Sequence, residues 1–221
     1  MRIKQLLACT AVALLIAAPA TADAVLFSNF GPNNSFDPTI ATIFGFFDSD
    51  GDAPPVHFSR AMPFVPDATA TLSKVELAIE FPQTVSQGSL LVNLFADQAG
   101  LPGPLLESFT SSQPSTGKGV FSFQSTVHPS LTTGHTYFLE ATTIGTADGL
   151  WFVTLDPPSV VADFRRFDNG PWEVGTRDFT AAFRVSGAGS QTPEPASLVL
   201  LMTGLGYAGW RRARHSRAQR P

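Results

Sequence analysis

Asp48-Ser49-Asp50-Gly51-Asp52 sets three carboxylates at alternate positions around one glycine. Ca²⁺ takes about six to eight oxygen ligands, and this spacing can wrap several around one ion. The helix-flanked calcium loop is not completed, because Ser59 stands where a bidentate Glu belongs. Asp48, Asp50 and Asp52 are therefore a candidate Ca²⁺ site, set against the plainer reading of an acidic turn in solvent. No other cofactor is expected. His57, His128 and His135 are far apart in the chain, without the spacing that converges on zinc. No Gly-x-Ser-x-Gly elbow or phosphate-binding glycine loop occurs. Glycosidic cleavage needs two facing carboxylates, and the sequence does not single out a pair. No catalytic residue is assigned, and no enzyme activity is expected.

Trp151 and Trp172 are the candidate ligand-binding residues. An indole can stack on a sugar ring, and Asp168-Asn169-Gly170-Pro171 puts Trp172 beside a turn, where binding residues often sit. The alternative is that each tryptophan closes one end of a core.

The elements that would hold these residues read as strands. Residues 72–81 alternate, with Val75, Leu77, Ile79 and Phe81 on one face and Lys74, Glu76, Ala78 and Glu80 on the other. Residues 179–185 repeat the pattern, with Phe179, Ala181, Phe183 and Val185 inward. Further strands are predicted over 25–30, 56–61, 89–96, 118–124, 135–143, 150–155 and 160–166. Breakers such as Leu101-Pro102-Gly103-Pro104 and Asp168-Asn169-Gly170-Pro171 separate them. The expected fold is all-β, an antiparallel sandwich or jelly roll of about nine strands. The 19 Phe against two Tyr suit its interior, since Phe fills volume without a hydroxyl to satisfy.

The 221-residue chain carries a net charge of −4. Residues 25–191 hold sixteen Asp and Glu against seven Lys and Arg, a net of −9. An acidic middle excludes a phosphate-tracking surface, so no nucleic acid partner is expected. Residues 1–24 read as a signal peptide: Arg2 and Lys4, an apolar stretch from Leu6 to Ala18, then the small residues Ala20, Ala22 and Ala24. The secretion translocon and signal peptidase are the expected partners. Cys9, the single cysteine, lies in this segment, so the exported chain has no disulfide framework.

The β domain is placed at 25–186 and a Gly/Ser linker at 187–191, followed by a tail over 192–221. Pro193-Glu194-Pro195 opens the tail, an apolar run covers 196–210, and Arg211, Arg212 and Arg214 follow. As a helix that run is about 22 Å long against roughly 30 Å of hydrocarbon, a short transmembrane helix suited to transient anchoring. The arginines belong on the cytoplasmic side, which leaves the acidic domain outside.

Motif, short span and basic end in this order resemble the PEP-CTERM sorting tail of exported proteins in Gram-negative bacteria. The resemblance implies recognition by an exosortase, a membrane-embedded sorting protease that cuts near the motif. A second resemblance covers about 160 residues. Phe27-Ser28-Asn29-Phe30-Gly31-Pro32, Leu94-Phe95-Ala96-Asp97-Gln98-Ala99-Gly100-Leu101-Pro102-Gly103 and Leu131-Thr132-Thr133-Gly134-His135-Thr136-Tyr137 are similar to stretches of the bacterial choice-of-anchor R domain. That likeness implies a β-rich surface module and supplies no catalytic residue. The expected protein is an exported, non-enzymatic surface or extracellular-matrix component, transiently held in the inner membrane. The alternatives are an exopolysaccharide-binding module or a polysaccharide hydrolase.

Overall fold

The structure, a computed structural model, describes residues 23–47, 54–81, 88–111, 117–154, 163–175 and 180–188. The expected signal helix over 1–24, the Asp48, Asp50 and Asp52 loop and the whole tail over 192–221 lie outside the described residues, Asp23 and Ala24 excepted. The chain divides into two units, Met1–Gly189 and Ser190–Pro221, and the description concerns the first. Among the described residues no helix is long and apolar enough to cross a membrane.

Among the described residues thirteen strands form: β1 (Ala24–Ser28), β2 (Asp37–Phe47), β3 (Val56–Phe64), β4 (Ala70–Phe81), β5 (Gly88–Gln98), β6 (Leu101–Ser111), β7 (Gly117–Gln124), β8 (Ser130–Leu131), β9 (Tyr137–Gly145), β10 (Asp148–Val153), β11 (Phe164–Phe167), β12 (Glu173–Val174) and β13 (Phe183–Ala188). β4 follows the alternation in its sequence, with Val75, Leu77, Ile79 and Phe81 all buried. Ala78, on the other face, is also buried, in a small satellite cluster with Phe152 and Ala182.

All pairings are antiparallel, and the strands join into one open sheet in the order β1-β13-β4-β10-β2-β3-β9-β5-β6. β7 and β8 extend it from the second edge of β4, and the β11–β12 ribbon from β3. The sheet folds over on itself. Phe27 of β1 and Phe64 of β3 lie on strands that do not pair with each other. Their rings are 5.6 Å apart. Val75 and Leu77 of β4 share one buried cluster with Leu90 and Leu94 of β5 and Leu139 of β9. The packing is thus sandwich-like, but its two layers are parts of one hydrogen-bonded sheet.

The strands beyond the expected nine are the two long ones β2 and β6 and the two-residue β8 and β12. Pro102 and Pro104 read as breakers, yet β6 is a sheet edge, where a missing N–H on the free side costs no ladder bond. Its pairing with β5 slips at Leu94/Phe95 and Phe95/Asp97, and these bulges absorb the prolines. Ala99 and Gly100, at φ 56° and 81°, form the two-residue turn between those strands. β2 carries Gly45 at φ 100°, where a Cβ would come within 2.5 Å of the Ala147 carbonyl oxygen. Only glycine lets β2 pass the β9–β10 turn that closely.

Candidate functional site

A row of paired residues crosses four strands on the side of the sheet away from the main core. Asn93 of β5 faces Glu140 of β9, Glu140 faces Ala61 of β3, and Ala61 faces Phe164 of β11. Such a row presents its side chains on one face. Glu140 is fully buried, and both of its oxygens are engaged. Asn93 Nδ2 donates to Oε2 at 2.6 Å, while Arg166 Nε and Nη2 donate to Oε1 at 3.0 and 2.7 Å. Ser108 Oγ donates in turn to Asn93 Oδ1 at 2.6 Å. The Arg166 guanidinium lies 4.6 Å from the Trp172 ring, and Trp172 meets Phe95 edge-on at 6.2 Å.

A second buried pair, Arg60 with Asp163, lies behind the β3–β11 pairing. Arg60 stands 4.3 Å over the Phe58 ring. Beside them Ile43, Phe47, Val56, Phe58, Arg60 and Phe167 line an open cavity of about 270 Å³. Chemically, these arrangements hold charges in place. Each buried carboxylate is committed to a cation, so the pairs fasten the β11–β12 ribbon to the sheet instead of leaving an acid free to move a proton.

Glu107 of β6 is a third buried carboxylate and has no cationic partner among the described residues. Ser125 Oγ donates to Oε2 at 2.6 Å, and the Thr126 and Val127 N–H groups donate to Oε1 at 2.6 and 3.1 Å. Burial would raise its pKa, but these donors outweigh it and hold the carboxyl below the usual glutamate value. A native pKa below the unfolded one adds stability above the ordinary glutamate range, and that stability is lost as pH falls through the native value. Glu107→Gln should cost about 1–3 kcal/mol near neutrality, as charge-assisted bonds to buried groups do. In denaturant titrations run from neutral to acid pH, the gap between wild type and variant should close on acidification. A constant gap would contradict the clamp.

The structure separates the two sequence-predicted tryptophans. Trp151 is fully buried, and its indole N–H donates to the Ala182 carbonyl at 3.0 Å, so it has no face to offer a sugar. Trp172 is half-buried beside the turn at Asp168 and Asn169, both at positive φ. The histidines do not converge: His57 packs on Phe46, and His128 Nδ1 lies 3.1 Å from the Leu72 carbonyl oxygen. Among the described residues no three His, Cys, Asp or Glu side chains gather as metal ligands. Asp48, Asp50, Asp52, Pro193, Glu194, Pro195, Arg211, Arg212 and Arg214 lie outside those residues.

For the tail the linear sequence decides. Residues 191–213 match the PEP-CTERM protein-sorting motif. The match includes Pro193, Glu194, Pro195, Arg211 and Arg212, and it stops one residue short of Arg214. No curated protein matches the chain. The PEP-CTERM motif indicates an exported protein that is transiently membrane-anchored and processed by an exosortase.

Sequence reasoning missed Asn93, Glu140, Arg166 and Glu107. One signal was available: Glu140 is the lone charge in Tyr137-Phe138-Leu139-Glu140-Ala141, and a charge inside an apolar strand calls for a buried partner.

Proposed function

We propose that the protein is a non-enzymatic component of the cell surface or extracellular matrix, delivered as a folded β domain and released when an exosortase cuts its tail. The observation that carries the reading is the PEP-CTERM motif over 191–213, joined to a domain whose buried acids serve its packing. The likeness to choice-of-anchor R domains supports the same role, that of a module set beside a sorting tail. Mass spectrometry of the mature protein tests it. The C-terminus is expected near Pro195, with Arg211, Arg212 and Arg214 absent. Replacing Pro193, Glu194 and Pro195 with Ala should leave the full-length C-terminus in the membrane fraction. An intact tail on the wild-type protein at its final location overturns the reading.

A second reading, an exopolysaccharide-binding module, rests on Trp172. Its ring is partly exposed beside a turn, and Arg166 backs it. Trp172→Ala removes the edge contact with Phe95 and the contact with Arg166, and should lower stability by about 1–2 kcal/mol. Under this reading the variant also loses retention on the exopolysaccharide at temperatures where it is fully folded. Unchanged retention removes the reading.

A further inference from the structure

β13, the last strand before the tail, is an interior strand of the sheet, with β1 on one side and β4 on the other. The pairing holds to its final residues. Gly187 faces Ala24 on β1 and Leu72 on β4, and Ala188 still faces Thr71. Ser186 is buried, and a Cβ on Gly187 would come within 2.6 Å of the Leu26 side chain and 2.8 Å of the Thr71 carbonyl oxygen. Such a strand does not fray as a free end does, because peeling it back breaks two ladders at once and uncovers Leu26. The sheet is also walled at this exit. β8 pairs with Ala70 and Thr71, and the Asp67 N–H donates to the Leu26 carbonyl at 2.7 Å.

The free chain before the sorting motif is therefore short and of fixed length. Only Gly189, Ser190, Gln191 and Thr192 stand between Ala188 and Pro193. Fully extended, the steps from Ala188 to Pro193 span at most about 18 Å. The predicted signal peptide leaves from the same end of the domain, since Ala24 pairs with Gly187.

We propose that this short reach from β13 positions the motif for the exosortase, so that cutting depends on how many residues precede the motif and not on which they are. The proposal rests on the exosortase reading above and adds a positioning element to it. A protease takes its substrate as chain released from ladder hydrogen bonds. Residues up to Ala188 cannot enter its cleft without pulling β13 out of the sheet, so the extended stretch before Pro193 comes from residues 189–192 alone. Any shortening subtracts directly from that stretch, because β13 has no slack to give. Lengthening moves the folded wall farther from the protease and takes nothing away. Gly189 and Ser190 lie outside the matched residues 191–213, so both can be altered with the motif intact.

The test compares full-length chains made in the cells that normally export them, by C-terminal mass and by membrane fractionation. Deleting Gly189 and Ser190 should leave the chain uncut and full-length in the membrane fraction. Gly189→Ala with Ser190→Ala keeps the length and should be cut near Pro195 as wild type is. Inserting Gly-Ser-Gly-Ser after Ser190 should leave cutting undiminished. The deletion removes no residue of a described strand, and an unchanged melting temperature of the retained chain separates lost reach from lost fold. Should the deletion misfold, deleting Ser190 alone replaces it, with reduced cutting expected. Equal cutting of the folded shortened chain, or loss of cutting in the alanine pair or the lengthened chain, overturns the proposal while the cut wild type still upholds the exosortase reading. A wild-type chain left uncut overturns both.

Discussion

Trp151→Ala should lower stability by about 3–5 kcal/mol, the range for deleting a large buried aromatic side chain. Against a domain total of about 5–15 kcal/mol, the variant would sit near its unfolding threshold. Three features place Trp151 at the upper end of that range. It is completely buried, its ring meets Phe183 at 5.9 Å, and it belongs to the cluster that unites the two layers of the folded sheet. Its strand β10 is also the narrow bridge of that sheet, paired with β4 at only two positions, Leu150 with Glu80 and Trp151 with Ile79. Trp151→Phe separates volume from polarity. The Ala182 carbonyl also accepts from the Ala78 N–H, so losing the indole donor leaves no orphaned oxygen. Phe should therefore cost only about 1–2 kcal/mol, one hydrogen bond plus a modest change of volume. Guanidinium denaturation of both variants is the measurement. An alanine variant as stable as wild type would show that Trp151 does not hold the layers together.

The tail and the domain differ in how much of each can be read from sequence, and the cause is locality. The sorting signal is contiguous, because the machinery that reads it meets an extended segment: Pro193-Glu194-Pro195, a span and a basic end in order. β4 is nearly as legible, since alternate burial along one long strand is also a local pattern. The polar pairs are not. Asn93 and Glu140 are 47 residues apart, and Arg60 and Asp163 are 103 apart. Only the strand order brings them together, and no periodicity encodes that order. The same limit hid β6, whose prolines look like a turn until its position at an edge is known. It also hid the role of Trp151, since an aromatic beside a breaker reads alike at a surface and at the seam of two layers.

The second large effect is expected at Arg60. Asp163 is fully buried, one of its oxygens meets Arg60, and the other, Oδ1, has no hydrogen-bond partner among the described residues. Arg60→Met fills much of the same space but leaves that carboxylate without its cation, and should cost about 3–5 kcal/mol. Asp163→Asn alone removes the carboxylate but leaves Arg60 over the Phe58 ring, and should cost less. Removing both charges together, as Arg60→Met with Asp163→Asn, should recover much of the loss. The penalty of Arg60→Met is mostly an uncompensated buried charge, and the intact pair itself contributes little net stability. The effect should also be local. β11 meets β3 at four positions beside this pair, from Phe164 with Ala61 to Phe167 with Phe58, so hydrogen exchange should quicken there before β4 responds. A double variant as unstable as the sum of its parts would mean that the two residues act separately, and that Arg166 with Glu140 alone fastens the ribbon.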